Sequence, residues 1–258
     1  MSERRFSIEI YFVGTAGGRV STFKYIRKSG GFIIKAENTT AHIDPGPGAF
    51  LNILSLGFRP WDMDIFILSH IHLDHSADIN TMVESAKVGS KESNKQLAIG
   101  APEDAFYGNA KVILDFILKK TDKHFIFKED ASYIWKDLKI DILKKHTHHG
   151  AITYGIVFNN KIAYHPCAKF EPHIVEHYPK SVEALILNTT FYRQRQNIDH
   201  LCKDDVINIL NIVKPKMAII THFASDMLEA GPENVAKEIE DKTNVKTIAA
   251  FDGAKIIL

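Results

Sequence analysis

The chain has 258 residues, 45% of them hydrophobic and 24% charged, so it is long enough to bury a large core without disulfide or metal staples. Lys plus Arg number 32 against 31 for Asp plus Glu, and a net charge of +1 excludes a general basic coat for gripping nucleic acid. No run of about 20 apolar residues is present to span a membrane. The opening segment MSERRFSIEIYFVG lacks the apolar core and cleavage site of a secretion signal. Two cysteines, Cys167 and Cys202, make no disulfide framework, so a cytoplasmic protein is expected.

Strands are expected first at 6–13, 31–35 and 40–43, where β-branched and aromatic residues run between glycine clusters. A short helix over 49–56 follows Asp44-Pro45-Gly46-Pro47-Gly48. Ile65 to Leu68 is a continuous apolar run of buried-strand type. The pattern then predicts a helix from Asp74 to about Ala86, a strand at 96–99 and an apolar-periodic stretch over 111–118. Further strands are expected at 125–127, 133–135, 139–143, 153–158 and 161–164. The last third alternates: strand 184–187, helix 204–213, strand 217–220, helix 232–240, then strands at 246–249 and 256–257. No internal repeat is visible. Two β-rich blocks, each followed by helices, predict one α/β domain over 1–258, with two mixed sheets packed face to face and helices outside.

Among 13 histidines, the informative cluster is His70-Ile71-His72-Leu73-Asp74-His75. A buried strand delivers His70 to a sheet edge. His70 and His72, two apart in extended chain, point the same way. Asp74 and His75 follow where the chain turns into a helix. Imidazole and carboxylate suit zinc and similar divalent ions, so one ion would take His70 and His72 and a second Asp74 and His75. A polar loop with coincidental histidines is the plain alternative. A second apolar strand, Met217 to Ile220, delivers His222 in the same manner.

These residues resemble the metallo-β-lactamase superfamily over most of the chain. The signature is closest at Leu68-Ser69-His70-Ile71-His72-Leu73-Asp74-His75. Gly14-Thr15-Ala16-Gly17-Gly18 resembles the family's opening, and Ile43-Asp44-Pro45-Gly46 its second motif. The resemblance implies an αββα sandwich and a centre of two zinc ions, with manganese or iron as alternatives. It implies that His70, His72 and His148 hold one ion, and Asp74, His75 and His222 the other. His146 and His149 compete with His148 for that place. Cys167 stands where the family has a bridging Asp. It is either a thiolate ligand or a small buried residue, and His165 beside it is a further candidate. Asp44 either orients a ligand from behind or is a turn residue before Pro45. His200, ahead of the helix at 204–213, either donates a proton to the leaving group or starts that helix. Arg193 and Arg195 in the same loop either bind phosphate oxygens or are solvated.

The function implied is a metal-dependent hydrolase, with Asp74, Asp44 and His200 in catalytic roles and hydroxide supplied by a metal-bound water. Within the superfamily the pattern is most similar to the ribonuclease Z and phosphodiesterase branch. The interval from His148 to Cys167 is too short for a tRNA-gripping arm, and charge supplies no broad footprint for nucleic acid. A small phosphodiester or short nucleotide is therefore the expected substrate. No membrane partner is expected, and family members are often homodimers. Hydrolysis of another ester, thioester or lactam bond is the alternative. A metal-binding scaffold without turnover, its second site degenerate at Cys167, is a third.

Overall fold

The computed structural model describes residues 7–91 and 95–258. The strands of the first half are β1 (Glu9–Phe12), β2 (Phe32–Lys35), β3 (Thr40–Ile43), β4 (Ile65–Ile67), β5 (Ala98–Pro102) and β6 (Lys123–Phe127). Those of the second are β7 (Ser132–Trp135), β8 (Leu138–His146), β9 (Thr153–Phe158), β10 (Ile162–His165), β11 (Ala184–Asn188), β12 (Met217–Thr221) and β13 (Lys246–Ala249), with β14 (Lys255–Ile257) closing the chain.

They form two seven-stranded sheets, ordered β14-β1-β2-β3-β4-β5-β6 and β13-β12-β11-β10-β9-β8-β7. Written from β7, the second sheet repeats the pairing of the first: three antiparallel pairs, then three parallel ones. The repeat that the sequence conceals is present in the topology.

Alternation along the strands builds three apolar layers. Ile65 and Ile67 of β4 face a central core shared with Ile140, Ile156 and Ile186 of the other sheet, so the sheets pack face to face. Phe66 and Leu68 point the other way, onto Ile79, Met82 and Val83 of a helix. Behind the second sheet, Leu185, Ala218 and Ile220 pack against two helices through Val206, Leu210, Val235 and Ile239. The result is the expected αββα sandwich.

The helices are α1 (Gly18–Phe23), α2 (Ala49–Asn52), α3 (Leu73–Ser76), α4 (Ile79–Val88), α5 (Glu103–Phe106), α6 (Asp115–Leu118), α7 (Pro172–Val175), α8 (Lys203–Val213), α9 (Ser225–Ala230) and α10 (Pro232–Thr243). The single helix expected from Asp74 is two helices, α3 and α4. Between them the Asp78 backbone N–H turns to the Pro45 carbonyl at 3.0 Å instead of continuing the first helix, and its carboxylate accepts the Phe50 N–H at 3.0 Å. The expected helix at 49–56 tightens into a 3-10 turn over Ile53–Leu56. Strand 139–143 runs on to His146 through a register shift between Ile142 and Lys145, which carries the chain to the histidines beyond. Of the first expected strand, Phe6 lies outside the described residues. No helix among the described residues is long and apolar enough to cross a membrane.

Candidate metal centre

The candidate side chains all follow C-terminal strand ends at one edge of the sandwich. β4 passes through Leu68 and Ser69 to His70; His72 precedes the single turn of α3, which presents Asp74 and His75. Asp44 follows β3, His148 follows β8, Cys167 follows β10 and His222 follows β12. Asp44 and His222 have φ of 54° and 66°. That left-handed region is costly for a residue with a Cβ and is kept where a side chain must be aimed. Gly17 has to be glycine here, because a Cβ on it would lie 2.0 Å from the His222 carbonyl oxygen.

Two donor groups meet. In the first, His70, His72 and His148 offer nitrogens within 4.8 Å of one another, and His72 Nδ1 is 3.1 Å from His148 Nε2. In the second, His75 Nε2 is 3.0 Å from His222 Nε2, and Asp74 Oδ2 is 3.7 and 3.5 Å from the same two nitrogens. The Cys167 sulfur lies 3.4 Å from His75 Nε2 and 3.4 Å from His222 Nε2. It also groups with His70 and His75, so it stands between the two sets.

Bonds from outside fix which nitrogen each ring turns inward. Asp44, 2% exposed, is their hub. Its Oδ1 accepts the Ser69 N–H at 2.6 Å, and its Oδ2 accepts the Ser69 hydroxyl at 2.7 Å and the Tyr164 hydroxyl at 2.8 Å. His75 Nδ1 donates to the same Oδ2 at 3.1 Å, which frees His75 Nε2. His70 Nδ1 sits 3.0 Å from Ser69 Oγ, whose proton is already given to Asp44, so that ring donates and its Nε2 is bare. His148 Nδ1 donates to the Asp199 carbonyl at 2.8 Å. Thr190 Oγ1 lies 3.0 Å from Nδ1 of both His222 and His200.

The two groups differ in charge. Burial, reinforced by the neighbouring imidazoles, holds His70 well below the usual histidine value. Burial lowers His148 to about 3, and His72 is lowered for the same reason. This set is neutral and ready to ligate. In the second set burial opposes every charge, and mutual attraction wins. Burial would lower His75 and His222, but Cys167 and Asp74 raise both, His222 to about 9. Burial would raise Cys167 and Asp74, yet His75 and His222 hold each well below its ordinary range.

These features fit divalent cations. His70 Nε2 is a buried ring nitrogen without a hydrogen-bond partner among the described residues, and a metal ion would satisfy it. The donor types are those of zinc and its neighbours. A cavity of about 590 Å³ opens beside them, lined in part by His70, His72, Asp74 and His200.

Of the three histidines competing at the end of β8, His148 joins His70 and His72. His146 turns away, its Nε2 3.0 Å from the Tyr178 hydroxyl. His149 stands at the rim, receiving the Asp199 N–H at Nε2. His165, considered beside Cys167, is buried against His146 and Tyr178 and does not reach the centre. His200 lies near it, its ring centroid 4.9 Å from that of His148, and Arg195 lines the cavity. Cys202 caps α8 with Asp205. Sequence reasoning missed Ser69, Tyr164 and Thr190. Their only signal is a position at a strand end beside a recognised motif.

A family model described as the beta-lactamase superfamily domain matches residues 39–223. The uncharacterized protein MJ1374 of Methanocaldococcus jannaschii is 28% identical over 260 residues, 97% of this chain and 95% of its own length. Among solved structures, the metallo-β-lactamase fold protein YhfI of Bacillus subtilis superposes with a TM-score of 0.80 at 17% identity, over 98% of this chain and 100% of its own. A diphosphatase of the PhnP family does so with a TM-score of 0.70 at 16% identity, over 98% and 97%. With its two face-to-face sheets and the donor clusters at their edge, the chain belongs to the beta-lactamase superfamily and has the metallo-β-lactamase fold.

Proposed function

We propose that the protein is a metal-dependent hydrolase of a phosphodiester or a related small phosphate ester. The observation that carries this reading is the pair of adjoining donor groups, with the Cys167 sulfur between them, reached from one cavity through His70, His72 and Asp74. His70, His72 and His148 would hold one ion, and Asp74, His75 and His222 the other, with Cys167 shared; zinc suits the thiolate best. Such ions supply Lewis-acid activation of water and of a phosphoryl oxygen.

The remaining chemistry belongs to the chain. Asp44 fixes the His75 ring and, through Ser69, that of His70. Thr190 ties His200 to His222, and from the cavity wall the His200 ring would give a proton to a leaving oxygen. Asp74 reaches the cavity wall, where it would help position the attacking water. The fold likeness to a diphosphatase of the PhnP family supports a phosphate substrate over a lactam or thioester.

The test is elemental analysis of gently purified protein, followed by assay of the loaded protein on bis(p-nitrophenyl) phosphate. About two transition-metal ions per chain, with hydrolysis abolished by chelation and restored by zinc, is the expected result. Protein that takes up no ion from zinc, manganese or iron solutions refutes the reading.

A further inference from the structure

We propose that Arg19 and Arg195 form a second phosphate subsite in the cavity beside the donor groups, so that the preferred substrate is a phosphoester carrying another phosphoryl group. The inference rests on the hydrolase reading above and deepens it.

The cavity, about 590 Å³, falls in the range of about 300–1,000 Å³ that encloses a whole small molecule rather than one phosphate group. Besides histidines, its charged lining residues are Arg19, Arg195 and Asp74. Asp74 is engaged with His75 and His222. Within the lining no uncommitted carboxylate therefore faces the two guanidinium groups, the one paired carboxylate, Asp226, standing outside the lining beside Arg195, and a guanidinium fork matches phosphate oxygens.

Both arginines are attached to the framework that carries the donors. Arg19 is the second residue of α1, whose preceding Gly17 donates its N–H to the Phe223 carbonyl at 3.0 Å, directly after His222. Among the described residues no ion pair or hydrogen bond engages the Arg19 side chain, and it is exposed. Arg195 lies with its guanidinium carbon 4.2 Å from the centre of the Phe191 ring, a cation–π contact that anchors it. Asp226 Oδ1 is 3.4 Å from one Arg195 nitrogen, yet that oxygen makes no hydrogen bond. The ion pair thus orients Arg195 without using up its donors. Phe191, Ile198 and Val20 of the same cavity supply an apolar surface for the body of a substrate. Arg193, in the same loop, instead lies over Tyr192.

The experiment compares calorimetric binding of thymidine 3′,5′-bisphosphate and thymidine 5′-monophosphate to the zinc-loaded protein. The bisphosphate should bind about tenfold tighter or more, the effect of one charge-assisted bond. Arg19→Gln and Arg195→Gln should each bring that ratio toward one, and Arg193→Gln should preserve it. A bisphosphate that binds no tighter than the monophosphate, or a preference that both Arg19→Gln and Arg195→Gln leave intact, overturns the subsite. Hydrolysis of bis(p-nitrophenyl) phosphate by the same preparation reports on the hydrolase reading separately. Hydrolysis without the preference removes the subsite alone, and the preference without hydrolysis removes only the phosphodiesterase reading.

Discussion

Replacing Asp44 by Asn tests whether one buried carboxylate organises the whole centre. Its two oxygens receive four donors: the Ser69 N–H and hydroxyl, the Tyr164 hydroxyl and His75 Nδ1. An amide has only one oxygen for them. If that oxygen takes the Oδ2 place, the amide nitrogen meets the Ser69 N–H across 2.6 Å, donor against donor. The three bonds that remain lose their ionic character. A bond to a charged group is worth about 1.5–3 kcal/mol, and neutral bonds about half that. One bond lost and three weakened in a site this buried give roughly 3–5 kcal/mol of destabilisation. For a chain of this size that is a fall in Tm of roughly 6–20 °C. Zinc affinity should fall about 10–100-fold as well, because His75 and His70 lose their orientation. The assays are thermal unfolding in chelator and competitive zinc titration. A variant within about 2 °C of the parent and with unchanged zinc affinity would refute the role given to Asp44.

Four further outcomes are expected. His72→Ala should lose metal and hydrolysis together, and full metal content in that variant would show the ligand assignment to be wrong. Gly17→Ala should displace His222, whose Nδ1 would lie 2.6 Å from the new Cβ; the expected cost is about 1–3 kcal/mol in unfolding experiments, with loss of one ion by elemental analysis. His200→Ala should lower kcat about a hundredfold or more while metal content stays at the parent level, a combination that a structural role for His200 would not produce. Because His222 is raised to about 9 and must be unprotonated to ligate, zinc binding near neutral pH should release protons into a weakly buffered solution, and affinity should rise with pH up to about that value. In chelated protein the same raised value contributes stability that is complete below the ordinary 6.5 and is lost as the pH rises through about 9. Zinc titration without proton release would contradict that charge state.

The sandwich was legible because alternation is strong where a strand divides its side chains between two apolar layers, as Ile65 and Ile67 do against Phe66 and Leu68. The donors around β4 and β12 could be read because each apolar run ends abruptly in histidine. The break between α3 and α4 was hidden, because the apolar periodicity continues across it and the bonds that mark it run from Asp78 to Pro45 and Phe50, distant in sequence. The continuation of β8 was hidden by Lys144, Lys145 and His146, polar residues in a strand whose partner sets its length. Among His146, His148 and His149, the spacing to Tyr154-Gly155 favoured His148 only through the family resemblance, since the physical choice depends on where the strand ends; His148 is the one that meets His70 and His72. Asp44 could be recognised as a motif residue, but its partners Ser69 and Tyr164 are brought to it by folding over 25 and 120 residues. The Arg19 and Arg195 pairing across one cavity leaves no trace in the linear order.

The repeated pairing of the two sheets has a consequence for how the molecule comes apart. His70, His72, Asp74 and His75 belong to the first half of the chain, and His148, Cys167 and His222 to the second. Neither half carries a complete donor set. An ion held by the proposed ligands would therefore act as a clasp between the halves, and its affinity would add to their cohesion. At a free ion concentration a thousand times the dissociation constant, that amounts to about 4 kcal/mol. Cut in the turn between β6 and β7, the halves should reassemble more tightly with zinc than with chelator, and metal supply would then set how long the whole protein survives proteolysis.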